Sequence, residues 1–311
     1  MKSIPKLLMM MALVCLCACS SNDDNATEGQ LAGTDIIIDN DVDCCSAEEV
    51  RQVYAFLQGL KNIPSLNTVI DGKYNVFAYT KTGKLHTGFN EVYFAATKRS
   101  TGNYIKNFQV YNISPLMTMG AGMSHGTPAS DSVASFNNAY LAVKKGWVSF
   151  VMNSSSTDTW TLSYDVTAKG ISSKVENTAI TVDSLPSGQV WVKSFKYNNG
   201  TYYLSLANAD NWITGTNTIQ AYISKQSDPV TLPFKIATET FTIDINPQMP
   251  DMGNHSSTGN TPLTKQADGS YQGTINLTMT GLWRVHLTVR NANGTIVAGG
   301  DDSSLYWDVT I

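Results

Sequence analysis

From about residue 70 onward the chain is written in short runs of alternating apolar and polar residues, separated by Gly, Asn, Asp and Ser. A period of two admits pleated strands joined by turns and little else, which is the signature of an all-β sandwich. The order of the runs then occurs twice. Gly72-Lys-Tyr-Asn-Val-Phe-Ala-Tyr79 answers to Gly200-Thr-Tyr-Tyr-Leu-Ser-Leu206, and Thr87-Gly-Phe-Asn-Glu-Val-Tyr-Phe94 to Thr214-Gly-Thr-Asn-Thr-Ile-Gln-Ala-Tyr222. Val148-Ser-Phe-Val-Met152 matches Ile275-Asn-Leu-Thr-Met279, and Trp160-Thr-Leu-Ser-Tyr-Asp-Val166 matches Trp283-Arg-Val-His-Leu-Thr-Val289. The offset is 127 residues from Gly88 to Gly215 and 132 from Met117 to Met249, a drift that loop insertions supply. Alternation places Trp160, Leu162, Tyr164 and Val166 on one face and Trp283, Val285, Leu287 and Val289 on another, as core positions.

The segments before the repeats have other characters. Lys2 and Lys6 precede an apolar run from Leu7 to Ala18, too short to span a bilayer permanently and proportioned like a secretory signal. It ends Leu16-Cys-Ala-Cys19, the pattern of a bacterial lipobox, which makes Cys19 the acylated first residue of the mature chain. Ser20-Ser-Asn-Asp-Asp24 resembles the export signal that sends Bacteroidetes lipoproteins to the outer face of the outer membrane. Residues 20–45 read as a flexible tether, and residues 46–65 as a helical segment. There Ser46 caps, Glu49 follows three positions on, and Val50, Val53, Tyr54, Phe56, Leu57 and Leu60 share one apolar face. That face calls for a cover, either the first domain or a partner.

Charge and cysteine usage narrow the function classes. Overall net charge is −4, and it becomes more negative once Lys2 and Lys6 leave with the signal, which disfavours nucleic acid as a partner. Of five Cys, only the vicinal pair Cys44-Cys45 follows Cys19, so there is no disulfide framework. With 42% hydrophobic and 15% charged residues the mature chain can bury a real core.

One motif remains unexplained by folding alone, and it too is present twice. Pro115-Leu-Met-Thr-Met-Gly-Ala-Gly-Met-Ser-His125 has a second version in Pro247-Gln-Met-Pro-Asp-Met-Gly-Asn-His255. Pro and Gly break regular structure there, so Met117, Met119, Met123 and His125, and Met249, Met252 and His255, are expected to project from loops. Thioether sulfur and imidazole nitrogen suit copper, above all Cu(I), and offer nothing to Mg²⁺ or Ca²⁺. The bland reading is that Met fills core gaps and that a loop His is a polar surface residue. Other sites are weaker. Gly122-Met-Ser-His-Gly126 fits a nucleophile-elbow pattern, but it lies in a loop of a β domain and the second copy lacks the Ser. His286 is expected at the surface, and His86 is answered by Ile213 in the other repeat, so neither is read as a ligand.

Gly-x-Asn on an early strand, then Pro-x-Met-x-x-Met-Gly-x-His, then Gly269-Ser-Tyr-Gln-Gly273, then Met279-Thr-Gly-Leu-Trp283, resembles the YtkA-like domain and its FixH-like relative. The second repeat carries nearly the whole pattern. The first spaces its Met residues differently and sets Trp160 eight positions after Met152, against four from Met279 to Trp283. The resemblance implies two tandem immunoglobulin-like β-sandwich domains, residues 66–186 and 187–311, and an association with copper handling. It also implies that Met152 and Met279 join the loop ligands around each ion, with core filling as the competing role. The resulting expectation is an outer-membrane lipoprotein, exposed on the cell surface if the Ser/Asp tract acts as an export signal. It would bind copper for buffering or for delivery to a copper-exchanging protein, without catalysis. The alternative is a structural or adhesive surface lipoprotein that binds a protein or glycan, with the Met/His loops as features of the fold.

Overall fold

The computed structural model describes residues 47–135, 142–185, 189–300 and 305–311. Cys19, the tether and the Cys44-Cys45 pair lie outside them. Within them the chain is one short helix followed by strands that build two sandwiches, each around its own apolar cluster.

In the first sandwich, one sheet runs Lys61–Asn62, Tyr74–Thr80, Gly88–Lys98, Val143–Phe150 and Ala134–Ser135 in spatial order. The facing sheet runs Ile171–Ile180, Thr159–Ala168, Phe108–Thr118 and Ser124–His125. The alternation in Thr159–Ala168 is obeyed throughout: Trp160, Leu162, Tyr164 and Val166 are all buried, against Val92, Phe94, Val148 and Phe150 from the other layer.

The second sandwich repeats this plan with its layers joined. Its strands form a continuous sheet, Val192–Tyr197, Gly200–Leu206, Gly215–Lys225, Ser270–Leu277, Thr261–Lys265, Phe241–Met249, Leu282–Asn291 and Ile296–Gly299. Thr261–Lys265 pairs with both Ser270–Leu277 and Phe241–Met249, and so stitches the two layers together along one edge. The register shifts between Thr261 and Thr264, and there the backbone closes on Gly273. A Cβ on Gly273 would lie 2.7 Å from the Thr261 carbonyl oxygen, which is why a glycine stands at that place in the pattern.

The repeat is legible in the register as well as in the strand order. Val148 lies opposite Asn90 and Phe150 opposite Gly88; Ile275 lies opposite Asn217 and Leu277 opposite Gly215. The Gly-x-Asn motif makes the same turn both times. Gly88 and Gly215 have φ of +89° and +101°, where a side chain would be strained. The Asn90 amide nitrogen donates to the His86 and Gly88 carbonyls at 2.7 and 2.8 Å, and its oxygen accepts the His86 N–H at 2.9 Å. Asn217 does the same with Ile213 and Gly215. His86 and Ile213 are therefore equivalent turn residues, as their matched positions in the two repeats imply.

Two boundaries differ from expectation. The helix is Ala47–Gln58; Gly59 and Leu60 close it with short N–H bonds to Phe56 and Leu57. Lys61–Asn62 then pairs with Thr80 and Tyr79, and Leu66 is buried in the first core, so residues 61–65 belong to the first sandwich rather than to the helix. Glycine followed by Ile63-Pro64 disfavours a longer helix. At the other boundary, Val182 packs in the first core and Leu185 already in the second.

The outer face of the first sandwich's Gly88–Lys98 sheet is covered twice. Val53 and Leu57 of the helix pack on Tyr93, Ala95 and Val143, with Phe56 edge-on to Tyr93 at 5.2 Å. At the other end of the same face the second sandwich docks. Tyr222 stacks on Phe89 at 5.1 Å with the rings 4° from parallel and meets Trp147 at 4.9 Å, and Ser149 Oγ donates to Ser205 Oγ at 2.8 Å in a buried contact.

The turn and a surface carboxylate each set an expected outcome. Asn90→Ala removes the side-chain bonds of a buried turn and lowers the unfolding free energy by about 1–3 kcal/mol in urea denaturation; Asn217→Ala, in a half-buried turn, costs less. The Glu239 carboxylate accepts from the Tyr202 hydroxyl and the Lys225 ammonium, both at 2.7 Å. Burial pushes its pKa up, but these hydrogen bonds outweigh that and bring it from 4.5 down to about 2. Because the folded value is depressed, the interaction stabilises the fold fully above pH 4.5 and is lost as pH falls toward 2. Glu239→Gln is accordingly less stable than wild type above pH 4.5, and thermal melts of the two converge on acidification through that window.

Candidate metal site

The two Met/His loops are β-hairpins grown from the ends of equivalent strands. In the first, Met117 lies opposite His125 on one side and opposite Trp160 on the other. Directly opposed residues of an antiparallel pair point to the same face, so His125, Met117 and Trp160 form one row across three strands. Trp160 and Met117 are fully buried, and the His125 ring meets the Trp160 ring edge to face at 5.6 Å. The second hairpin repeats the row. Met249 lies opposite His255, and the pairing of Gln248 with Arg284 brings Met249 beside Trp283 at the next step. Met249 is 3% exposed and Trp283 is fully buried, and the His255 ring centroid lies 6.5 Å from that of Trp283.

The first hairpin carries more. The Met119 N–H donates to the Met123 carbonyl at 2.9 Å, so these two face each other two residues beyond the Met117–His125 pair. By the period of two, Met117 and Met119 on one strand and Met123 and His125 on the other lie on a single face. Their burial is graded: Met117 is in the core, Met119 packs on its edge, and Met123 is 60% exposed at the tip. In the second hairpin the tip is a 3₁₀ turn, Pro250–Met252, followed by Gly253 and Asn254 in left-handed conformations. Met252 sits on that turn, 54% exposed, and the Asn254 N–H closes the hairpin on the Met249 carbonyl at 3.0 Å.

The histidines differ in how they are held. His125 Nδ1 lies 2.7 Å from the Gly126 carbonyl oxygen. A carbonyl only accepts, so the neutral ring carries its proton on Nδ1 and leaves the Nε2 lone pair unused by that bond. His255 is exposed.

Met152 and Met279 are joined to the rows through their backbones. The indole N–H of Trp160 donates to the Met152 carbonyl at 3.0 Å and that of Trp283 to the Met279 carbonyl at 2.9 Å. The Met152 side chain is 40% exposed and lines a groove of about 240 Å³ with Phe150, Leu185 and Trp191 where the chain passes between sandwiches. Met279 packs, partly buried, on the second core. The Trp residues are core residues that also carry the histidine rings, a contact the sequence does not announce.

Donor chemistry limits what the site can hold. Among the described residues no group of three or more His, Cys, Asp or Glu comes together as a metal cage. The side-chain donors that the rows themselves present are thioether sulfur and imidazole. The remaining histidines serve elsewhere. His86 is the turn residue described above, with Nδ1 on the Thr87 carbonyl. His286 lies on the outer polar face of the second sandwich, its ring 6.1 Å from that of Tyr306 and its pKa lowered by burial and by Arg284.

The YtkA-like family model matches residues 196–288, a stretch that contains Met249, Met252, His255, Met279 and Trp283. No curated protein matches the chain. Among solved structures, the Yersinia pseudotuberculosis adhesin InvE is similar at 11% identity and a TM-score of 0.21, over 73% of this chain and 55% of that one. The SGBP-B protein of the Bacteroides ovatus mixed-linkage glucan utilization locus, in complex with a mixed-linkage heptasaccharide, is similar at 15% identity and a TM-score of 0.17. That likeness spans 71% of this chain and 40% of the other. The chain thus spans about half the length of these structures, and residues 196–288 are similar to the YtkA-like family.

Proposed function

We propose that the chain is a membrane-anchored lipoprotein that binds copper, as Cu(I), through its two Met/His rows, and that it buffers the ion or passes it to a partner protein. The observation that carries this reading is the His–Met–Trp row, present in the same register in both sandwiches. Packing explains a Met-sized side chain at 117 and 249. It does not explain an imidazole set across the strand from that sulfur twice.

The chemistry of the row fits the ion. Thioether is a soft donor that favours Cu(I), and imidazole is a ligand that copper also takes. In the first hairpin the graded burial of Met123, Met119 and Met117 supplies a succession of thioethers from solvent to core, along which an ion moves by ligand replacement. Met252 and His255 are the corresponding exposed donors of the second. On this reading the first sandwich is a diverged YtkA-like copy, and lipid on Cys19 holds both at the outer membrane, with the Ser/Asp tract directing them to its outer face. No catalytic role is assigned.

Competitive Cu(I) titration of the chain from residue 20 onward against a chromophoric chelator tests the proposal. It is run beside a chain in which His125, His255, Met117, Met119, Met249 and Met252 are all changed to Ala. Two equivalents bound by wild type and lost on substitution is the expected result. A wild type that competes no better than the substituted chain returns the rows to packing, on a structural or adhesive surface protein. Methionine methyl NMR locates the ion. In the metal-free protein a soluble nitroxide broadens the methyls of Met123 and Met252 and spares those of Met117 and Met249. Cu(I) is expected to shift Met117 and Met249 as well. Shifts confined to Met123 and Met252 would mean that the buried sulfurs take no part.

A further inference from the structure

The two rows are built from different amounts of the molecule. The contacts that set the second row lie in the second sandwich: Met249 opposite His255, Asn254 on the Met249 carbonyl, Trp283 on the Met279 carbonyl. The first row is set from both. Residue 126, whose carbonyl receives the His125 imidazole, donates its own N–H to the Val230 carbonyl of the second sandwich at 2.8 Å. The next residues continue the contact: the Phe234 N–H donates to the Thr127 carbonyl at 3.0 Å and the Ala129 N–H to the Phe234 carbonyl at 3.3 Å. Pro128 and Phe234 form a parallel bridge, and Lys235 pairs with Asp131 at 3.0 Å. The approach is so close that a Cβ on Gly126 would lie 2.2 Å from the Leu232 carbonyl oxygen.

From this we infer that the 226–235 loop of the second sandwich is a latch that positions His125, so that the imidazole of the first Met/His row is fixed only while the sandwiches are docked. Gly126 is its positioning residue. An imidazole bonded to a fixed carbonyl has a fixed ring plane and tautomer, and loss of such an outer partner weakens metal binding about 10- to 100-fold. The two sites then differ in kind: one is gated by docking of the sandwiches, the other is open at all times. As a statement about copper, the inference rests on the function proposed above; as a statement about His125, it does not.

The experiment uses the whole mature chain and two altered forms: Gly126→Ala, which forces the loop away, and deletion of 230–232, which removes the acceptor without placing an atom in the contact. Nitrogen-15 NMR of the metal-free proteins reads the His125 tautomer, with Nδ1–H expected to dominate in wild type and mixed tautomers in both altered forms. Cu(I) titration is expected to show one site weakened about 10- to 100-fold and the other unchanged. An unchanged His125 tautomer with both affinities intact, in altered chains that melt as folded proteins, overturns the latch. If wild type binds no Cu(I), the copper reading falls by itself and the tautomer alone decides whether the latch exists.

Discussion

Each sandwich is closed at one end by a buried indole whose N–H finds an acceptor on the facing layer. Trp160 and Trp283 are fully buried, and a buried N–H left unpaired costs roughly 1–3 kcal/mol. Both solve this identically, by donating to the carbonyl of the Met that ends the opposite layer. That bond pins one sheet to the other at the end where the hairpin emerges, and the indole then provides the wall on which a histidine ring rests. Met117 and Met249 are held within the cores, while Met123, Met252 and His255 stand in solvent.

Much of this is legible from residue order, because a period of two is a direct statement about faces. The buried sets around Trp160 and Trp283 and the equivalence of His86 with Ile213 follow from alternation and offset alone. What alternation does not carry is where backbones touch. Gly273 is fixed by the passage of Thr261 and Pro262 over it, and Gly126 by Leu232, a residue more than a hundred positions away. Neither neighbour is marked in the sequence by anything but a glycine. The placement of Met152 is hidden for a related reason: its match to Met279 is correct for the backbone, which serves Trp160, while its side chain lines the groove between the sandwiches. Apolar spacing continues to Leu60 and so overstates the helix, whereas Gly59 and the first strand pairing decide its end.

The copies have diverged where they meet other things. The first keeps two separate sheets; the second joins its layers through Thr261–Lys265. The first hairpin is followed at once by residues held on the neighbouring sandwich, while the second ends in a helical turn with two left-handed residues. Shared features cluster around the Trp, the Gly-x-Asn turn and the Met–His pair. A duplicated fold keeps what closes its core and varies its edges.

The docking of Tyr222 on Phe89 and Trp147 joins corresponding sheets of the two units, the Gly88–Lys98 layer of one against the Gly215–Lys225 layer of the other. The patches used are not equivalent: by the 127-residue offset Phe89 corresponds to Thr216, which is exposed, and Tyr222 to Ala95, which lies under the helix. Tyr93, Ala95 and Val143 of the first unit's face lie under the helix. The pair is therefore unequal by construction: the helix occupies on the first unit the place that, on the second, rests against its neighbour.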